Sequence, residues 1–519
     1  MSYTATFTTD VTGWRLRLLH SLQTRPALHC LGLLLAGGLS TLSFAPFYIW
    51  PIYLLALSYL MLAWQGANSC KHSFLFGISF ALGLFASGIS WVYVSIANFG
   101  QVGFAVAILI TFGLIAAASC YWGIAGVVYN TLRRRLRTPF RVPLFVVIIL
   151  LFEWLRSTLF TGFPWLLPGY IVEKSWLFEA LPIGGIWFAS ALVLLTSAAI
   201  GMALLLAQHY RYLLLVLTLW VGAAGLHFSA PDYVTETDTH NVTLIQGNVA
   251  QDEKWLPETA APTLTYYQQA TFENLESDIV VWPETAITYV LHQVEPYLEP
   301  FSKDLEHLGT TVITGVPVWD EERSSYFNGV WATGNGFGVY EKQKLVPFGE
   351  YVPLEDWFGP IFDLFGMPMS QFRKGPANQP TLQAGELSIA PFICYEVVYP
   401  DLVRAMVRDS DVLLTISNDG WFGRSIGPLQ HLQIAQFRAK EAGRYMIRAT
   451  NTGVSALIDT KGQIVSELPQ FVRATLTGSI ATVTGNTPYV MHGNLALWLL
   501  LALLIGLSFL PSFRLFKHR

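Results

Sequence analysis

Polar and apolar positions divide this chain into two kinds of stretch. Residues 26–70 contain no Asp, Glu, Lys or Arg, and neither do residues 72–132. A helix needs about 20 apolar residues to cross the hydrocarbon core of a bilayer, so each block has room for two spans. The pattern predicts spans near 27–44, 50–65, 73–95, 102–130, 142–160, 183–207 and 211–228, and an eighth near 493–511. Between the last two the periodicity changes. "NVTLIQGN" (241–248), "DIVVWPET" (278–285), "TTVITGVPV" (310–318), "LSIAPFIC" (387–394), "DVLLTISND" (411–419) and "YMIRATN" (445–451) read as strands, several too continuously apolar to have a wet face. "TLTYYQQATFENLE", "PDLVRAMVRD" and "PLQHLQIAQFRAKEAG" read as helices, the last ended by Gly443. Strands covered by helices make a layered α/β domain. The expected fold class is a polytopic α-helical membrane domain of about eight spans carrying an α/β domain. The expected divisions are 1–228 (seven spans), 229–490 (the α/β domain) and 491–519 (a last span and tail).

Composition supports the membrane reading, since 53% of positions are hydrophobic and only 13% charged. Charge is also segregated. Residues 229–488 hold 31 Asp/Glu against 16 Lys/Arg, whereas the rest of the chain holds 4 against 15. An acidic polar domain repels nucleic acid, which excludes a nucleic-acid partner. The basic residues obey a positional rule: Arg15, Arg17 and Arg25 precede span one, Lys71 follows span two, and Arg133, Arg134, Arg135, Arg137 and Arg141 follow span four. Arg211 follows span six, and Arg514, Lys517 and Arg519 close the chain, all on one face, while the opposite loops near 45–49 and 96–101 carry no charge. The expectation is that both termini are cytoplasmic and that 229–490 lies outside. The first 26 residues show no cleavable signal, so span one is expected to serve as an uncleaved one.

Candidate chemistry starts from the cysteines. Cys30, Cys70 and Cys120 lie in or beside the spans, leaving Cys394 alone in the polar domain, which therefore has no internal disulfide. With no C-x-x-C pair and no H-E-x-x-H, a zinc site has no support and no cofactor is expected. No G-x-S-x-G occurs, and "GNGFG" (334–338) between two strand-like runs reads as a hairpin turn. Three residues sit at strand ends or following turns: Glu284 in "WPETA", Lys342 in "YEKQKLVPFGEY" and Cys394 in "ICYE". A thiol attacks as a thiolate, a carboxylate can take its proton, and a lysine can hold the oxyanion formed when a carbonyl is attacked. The three suffice in kind for acyl transfer through a thioester. Taken singly, each has a plainer reading: a small buried hydrophobe, a solvated turn lysine and a turn carboxylate. Glu153 and Arg156, at the outer end of span five, read either as a one-turn ion pair or as the lining of a substrate entrance. The following "TGFPWLLPGY" suits a loop at lipid headgroup level.

In chain order, "WPET", "YEKQKLVPFGEY" and "ICYE" resemble the Glu, Lys, Cys signature of the nitrilase superfamily of carbon-nitrogen hydrolases over roughly residues 240–485. With the flanking spans and "EWLRSTLFTGFPW", "QGNVAQDEKW", "LVPFGEYVP" and "SNDGWFG", the whole chain resembles the apolipoprotein N-acyltransferase family. The resemblance implies a nitrilase-like αββα sandwich facing the periplasm on an eight-helix base in a bacterial inner membrane. It implies acyl transfer from a phospholipid to the N-terminal amine of a diacylglyceryl-cysteine lipoprotein. Cys394 would be the nucleophile, Glu284 the general base and then acid, and Lys342 the oxyanion stabiliser, chosen over Lys344 because the superfamily pattern is Tyr-x-Lys. Glu350, Tyr395 and Glu396 match further active-site positions and Trp255 a substrate-contacting one, while "SSYFNG" receives no role. Loops around "FGMPMSQF" (365–372) and "DGWFG" are expected to roof the site. The rivals are a membrane-tethered amidase or nitrilase using water, and a transporter or receptor whose outer domain binds a ligand. The few charges within the spans weigh against the latter.

Overall fold

The computed structural model describes residues 13–100, 102–206, 210–346, 349–351 and 372–509. A short helix α1 (Trp14–Thr24) leads into α2 (Pro26–Ser40), α3 (Pro51–Gly66), α4 (Cys70–Gly88), α5 (Trp91–Phe99) and α6 (Phe104–Arg133). Then come α7 (Arg141–Thr158), α8 (Leu181–Leu205) and α9 (Tyr210–Ser229). Among the described residues, six helical segments, containing α2, α4, α6, α7, α8 and α9, are long and apolar enough to cross a membrane; α3 and the terminal α15 (Leu495–Phe509) are shorter apolar helices. Large apolar side chains crowd their outer surfaces, among them Leu31, Leu35, Phe112, Leu214, Leu217, Trp498 and Leu503, as lipid-facing positions require. α8 is buried along most of its length and forms the centre of the bundle, whereas Ala223 is the only buried residue of α9. α2 and α4 meet through glycines: a Cβ on Gly37 would lie 1.9 Å from the Phe80 carbonyl oxygen, and one on Gly83 would lie 2.0 Å from that of Leu34.

The predicted span at 73–95 is broken. α4 stops at Gly88 and α5 restarts at Trp91, because the Gly88 carbonyl is taken not by the helix but by Gln430 Nε2 at 3.1 Å. α8 is kinked in a similar way. Gly185 adopts φ +67°, and the freed N–H of Ile186 donates to Glu441 Oε1 at 2.6 Å. Both compensating side chains come from the polar domain. Irregular backbone near a bilayer is tolerated only where protein satisfies it, so these contacts fix that domain to its base.

Among the described residues the polar domain carries twelve strands in the order β11-β10-β9-β8-β7-β6-β5-β4-β3-β2-β1-β12. They are β1 (Thr235–Gln246), β2 (Ile279–Val281), β3 (Thr311–Asp320), β4 (Ser325–Gly334), β5 (Gly336–Glu341), β6 (Leu382–Ala384), β7 (Leu387–Ile393), β8 (Val412–Ser417), β9 (Met446–Thr450), β10 (Ala456–Ile458), β11 (Ile464–Glu467) and β12 (Ala474–Thr484). β1, β2 and β3 are mutually parallel, as are β7, β8 and β9. The sheet doubles back near the two-residue β5–β6 pairing, so β4 faces β7 and β1 faces β9. Alternation shows the layering: Leu244, Ile279, Val281 and Ile313 point between the half-sheets, while Ile245, Val280 and Val312 point outward against α10 (Pro257–Phe272) and α11 (Leu291–Leu308). The other half-sheet is covered by α12 (Pro400–Val407) and α13 (Gly427–Ala442), giving four layers in the order α, β, β, α. Strands buried on both faces explain the continuously apolar runs. α13 ends where expected, with Gly443 at φ +63°. Although it carries Gln430, Gln433, Gln436, Arg438, Lys440 and Glu441, α13 is buried at every position but the half-buried Leu429, because it is wedged between its sheet and the helical base. A short α14 (Pro488–His492) leads into α15.

Candidate active site

The C-terminal ends of both parallel strand sets meet at one edge of the sandwich, the usual location of sites in parallel sheets. At the end of β7, Cys394 adopts φ +53°. That left-handed conformation costs a non-glycine residue about 1–2 kcal/mol and persists only where its surroundings impose it. Glu396 does so. Its Oε2 accepts from the Ile393 N–H (2.9 Å), its Oε1 from the N–H groups of Gln343 (2.7 Å) and Lys344 (3.0 Å), and both oxygens lie 3.1 Å from the Tyr340 hydroxyl. One buried carboxylate thus ties the turn bearing Cys394 to the turn following Lys342. Burial pushes the Glu396 carboxyl up to about 7, with the backbone N–H groups opposing.

Glu284 follows β2 in a turn where Thr285 also has positive φ, +50°. The turn lies directly on β3 at Gly315, where a Cβ would come within 2.3 Å of the Thr285 nitrogen. Glu284 Oε1 accepts from Asn328 Nδ2 and Oε2 from the Asn418 N–H, both at 2.8 Å, while its backbone oxygen accepts from Lys254 Nζ at 2.8 Å. Lys342, at the end of β5, is buried. Its Nζ donates to Glu350 Oε1 at 2.9 Å and stands 3.8 Å from Glu284 Oε1. Glu350 Oε2 in turn accepts from the Val346 N–H at 2.8 Å.

Electrostatics follow from this layout. Burial pulls the Lys342 ammonium down, but Glu350 and Glu284 outweigh it and hold the group charged well above its ordinary range. Burial first, and then the Glu284 charge, push the Cys394 thiol well up, with Lys342 opposing. The resting sulfur is a thiol, and charge forms on it only as its proton leaves. Lys254 is pulled down to about 8 by burial, with Glu284 opposing.

The membrane base supplies one wall. Tyr395 donates through its hydroxyl to the Gly162 carbonyl at 3.1 Å, and Tyr399 to that of Thr161 at 3.0 Å. Trp165 lies parallel to Tyr395 at 6.5 Å between centroids. The loop 160–166 is itself strained, with Phe160, Thr161 and Leu166 at positive φ. Arg156 holds it, donating to the carbonyls of Phe163 and Trp165 while pairing with Glu153, whose Oε1 also accepts from Trp122 Nε1 at 2.8 Å. The ion-pair reading of Glu153 and Arg156 describes their contacts, and the pair also fastens a loop that touches the turn of Cys394. Of the two loops expected to roof the site, "DGWFG" reaches α5: Ser95 Oγ donates to the Trp421 carbonyl at 2.7 Å, and Phe99 meets the Trp421 ring. Residues 365–371 of "FGMPMSQF" lie outside the described residues. Trp255 is exposed, next to the inward-turned Lys254.

The structure therefore brings Glu284, Lys342, Glu350, Tyr395 and Glu396 around Cys394 and leaves Trp255 at the surface beside them. Sequence reasoning missed Lys254, Asn328 and Asn418. Asn328 lies in "SSYFNG", the segment given no role. A single amide in the buried strand "FNGVWAT" carries a signal of its own, because a buried polar group needs a partner.

Residues 241–489 match the carbon-nitrogen hydrolase family, and residues 36–199 match the apolipoprotein N-acyltransferase N-terminal domain. Similar solved structures include the C. elegans NitFhit protein (15% identity, 50% of this chain and 63% of that one, TM-score 0.36). Another is a CN-hydrolase superfamily protein from Xanthomonas campestris (21% identity, 47% and 91%, TM-score 0.35). The polar domain is a carbon-nitrogen hydrolase domain, carried on an apolar helical base. Apolipoprotein N-acyltransferase of Pseudomonas aeruginosa (strain LESB58) is 41% identical over 484 residues, 90% of this chain and 94% of its own. That of Pseudomonas syringae pv. tomato is 41% identical over 488 residues, 92% and 96%. This chain belongs to the apolipoprotein N-acyltransferase family.

Proposed function

We propose that this protein moves an acyl chain from a membrane phospholipid to the α-amine of a diacylglyceryl-cysteine lipoprotein, in two half-reactions through a thioester on Cys394. In the first, Sγ attacks the ester carbonyl as the thiol proton passes to Glu284, and Lys342 with backbone N–H groups holds the oxyanion. Collapse breaks the bond to the glycerol oxygen, which takes the proton from Glu284 and leaves as lysophospholipid. In the second, the lipoprotein amine attacks the thioester, Glu284 takes a proton from the amine, and the thiolate departs and is reprotonated. Glu350 supports Lys342, Glu396 and Tyr395 hold the nucleophile turn, and Trp255 meets the incoming substrate. No cofactor takes part. In this reading the catalytic domain, 229–490, lies on the periplasmic side of the bacterial inner membrane between a base at 1–228 and a last span at 491–519, with both termini cytoplasmic. The distribution of arginines supports that orientation.

The observation that carries the proposal is that the nucleophile turn is built against the membrane base. The Tyr395 and Tyr399 hydroxyls bond to carbonyls of the 160–166 loop, which favours a donor arriving from lipid over a soluble amide substrate. The test is to supply phospholipid labelled in its acyl chain with a diacylglyceryl-cysteine peptide whose α-amine is free or acetylated. Label is expected on the free-amine peptide alone. Release of labelled free fatty acid with no labelled peptide would instead identify a hydrolase.

A further inference from the structure

Behind Cys394 lies a buried polar cluster that the steps above leave unused. His431 stands on α13, Asp419 in the turn after β8 and Arg448 in β9, each 1% exposed or less. Burying ionisable groups opposes folding unless each finds partners, and these do. Arg448 Nη2 donates to Asp419 Oδ2 at 2.7 Å. His431 Nδ1 lies 3.2 Å from Arg448 Nη2 and 3.1 Å from Asp419 Oδ1, and its Nε2 lies 3.1 Å from the backbone oxygen of Cys394. A carbonyl only accepts, so Nε2 carries the hydrogen. Burial, and then the Arg448 charge, pull the imidazole below its usual pKa, with the Asp419 carboxylate opposing.

The geometry of the peptide gives this contact its meaning. In a trans peptide the C=O and N–H point in opposite directions. With the Cys394 carbonyl drawn toward α13, the Tyr395 N–H is aimed to the other side of the turn. Cys394 is at a strained φ, so an unheld peptide would be free to rotate away. We infer that His431, set by Asp419 and Arg448, is a positioning residue: it fixes the Cys394–Tyr395 peptide so that the Tyr395 N–H joins Lys342 Nζ in holding the oxyanion of each half-reaction. A hydrogen bond accepted by a peptide oxygen also polarises the same peptide's N–H and makes it a better donor. The inference rests on the acyl-enzyme reading above.

The test compares two reactions of the same sulfur in the full-length protein. One is single-turnover acylation of Cys394 by phospholipid labelled in its acyl chain. The other is alkylation by iodoacetamide, in which the sulfur displaces iodide from a saturated carbon and no oxyanion forms. For His431→Phe, acylation should fall roughly 100-fold, within the range for losing one oxyanion donor, at an unchanged half-saturating phospholipid concentration. Alkylation should stay within about threefold of wild type, as expected when only the oxyanion donor is misplaced. His431→Gln, which keeps an N–H donor, should recover part of the acylation rate. Asp419→Asn, which keeps the shape of the cluster, should show the same split in weaker form and serves if His431→Phe does not fold. Unchanged acylation in His431→Phe, or acylation and alkylation falling together, would overturn the inference. A wild-type protein that is alkylated at Cys394 but never acylated would instead overturn the reading of its function.

Discussion

Glu396→Gln tests the idea that one carboxylate holds the nucleophile turn and the lysine turn together. Glu396 serves three backbone N–H groups and the Tyr340 hydroxyl, and it is fully buried. An amide of the same shape keeps one acceptor oxygen. Placed toward Gln343 and Lys344, that oxygen preserves two bonds, but the NH₂ then faces the Ile393 N–H, while the Tyr340 hydroxyl can turn to accept. One buried N–H is orphaned, at about 1–3 kcal/mol, and two bonds to a charged acceptor weaken to ordinary ones, at about 1 kcal/mol more, so the loss is about 2–4 kcal/mol. For a domain of this size that amounts to a fall in Tm of about 5–15 °C, read by thermal unfolding in detergent. Acylation at a temperature where the variant is folded should also slow, because Lys342 and Cys394 are no longer held in register. Glu396→Ala should do worse on both counts. A Glu396→Gln protein with wild-type Tm and wild-type acylation would refute the reasoning.

Other outcomes follow from the same contacts. The Glu284 charge is second only to burial in raising the Cys394 thiol, so Glu284→Gln should shift the pH profile of iodoacetamide alkylation to lower pH while acyl transfer is lost; a midpoint that stays put or rises would contradict this. Arg156→Met leaves Glu153 as an unpaired buried charge and should cost about 3–5 kcal/mol, and adding Glu153→Gln should recover part of the stability but not acylation, since the Phe163 and Trp165 carbonyls still lack their donor; melting curves and single-turnover labelling of both variants check this. Gly37→Ala drives a methyl into the Phe80 carbonyl and should abolish stable packing of α2 on α4, seen as loss of monodisperse protein on size exclusion.

Much of the architecture could be read from pattern because it depends on local rules. Strands buried on both faces are continuously apolar, and Gly443 stops α13 where a left-handed residue is needed. Cys394, Glu284 and Lys342 were legible because each sits in a short distinctive motif at a strand end. What escaped depends on partners far along the chain. The break between α4 and α5 answers to Gln430, and the kink in α8 to Glu441. α11 was not foreseen, because Pro296 and Pro300 interrupt it, although Val294, Leu298, Phe301 and Leu305 mark its buried stripe. Lys254, Asn328 and His431 are single polar residues whose purpose appears only once folding places them beside Glu284 or Cys394.

The central claim is that Cys394 carries the acyl chain between donor and acceptor. The most direct measurement incubates wild type, Cys394→Ala and Glu284→Gln with phospholipid labelled in its acyl chain and no acceptor. Label on the denatured protein is then read before and after neutral hydroxylamine. The account predicts stable label on wild type that hydroxylamine removes, none on Cys394→Ala, and little on Glu284→Gln. Hydroxylamine-sensitive label persisting on Cys394→Ala, or folded wild type that never acquires label, would contradict it.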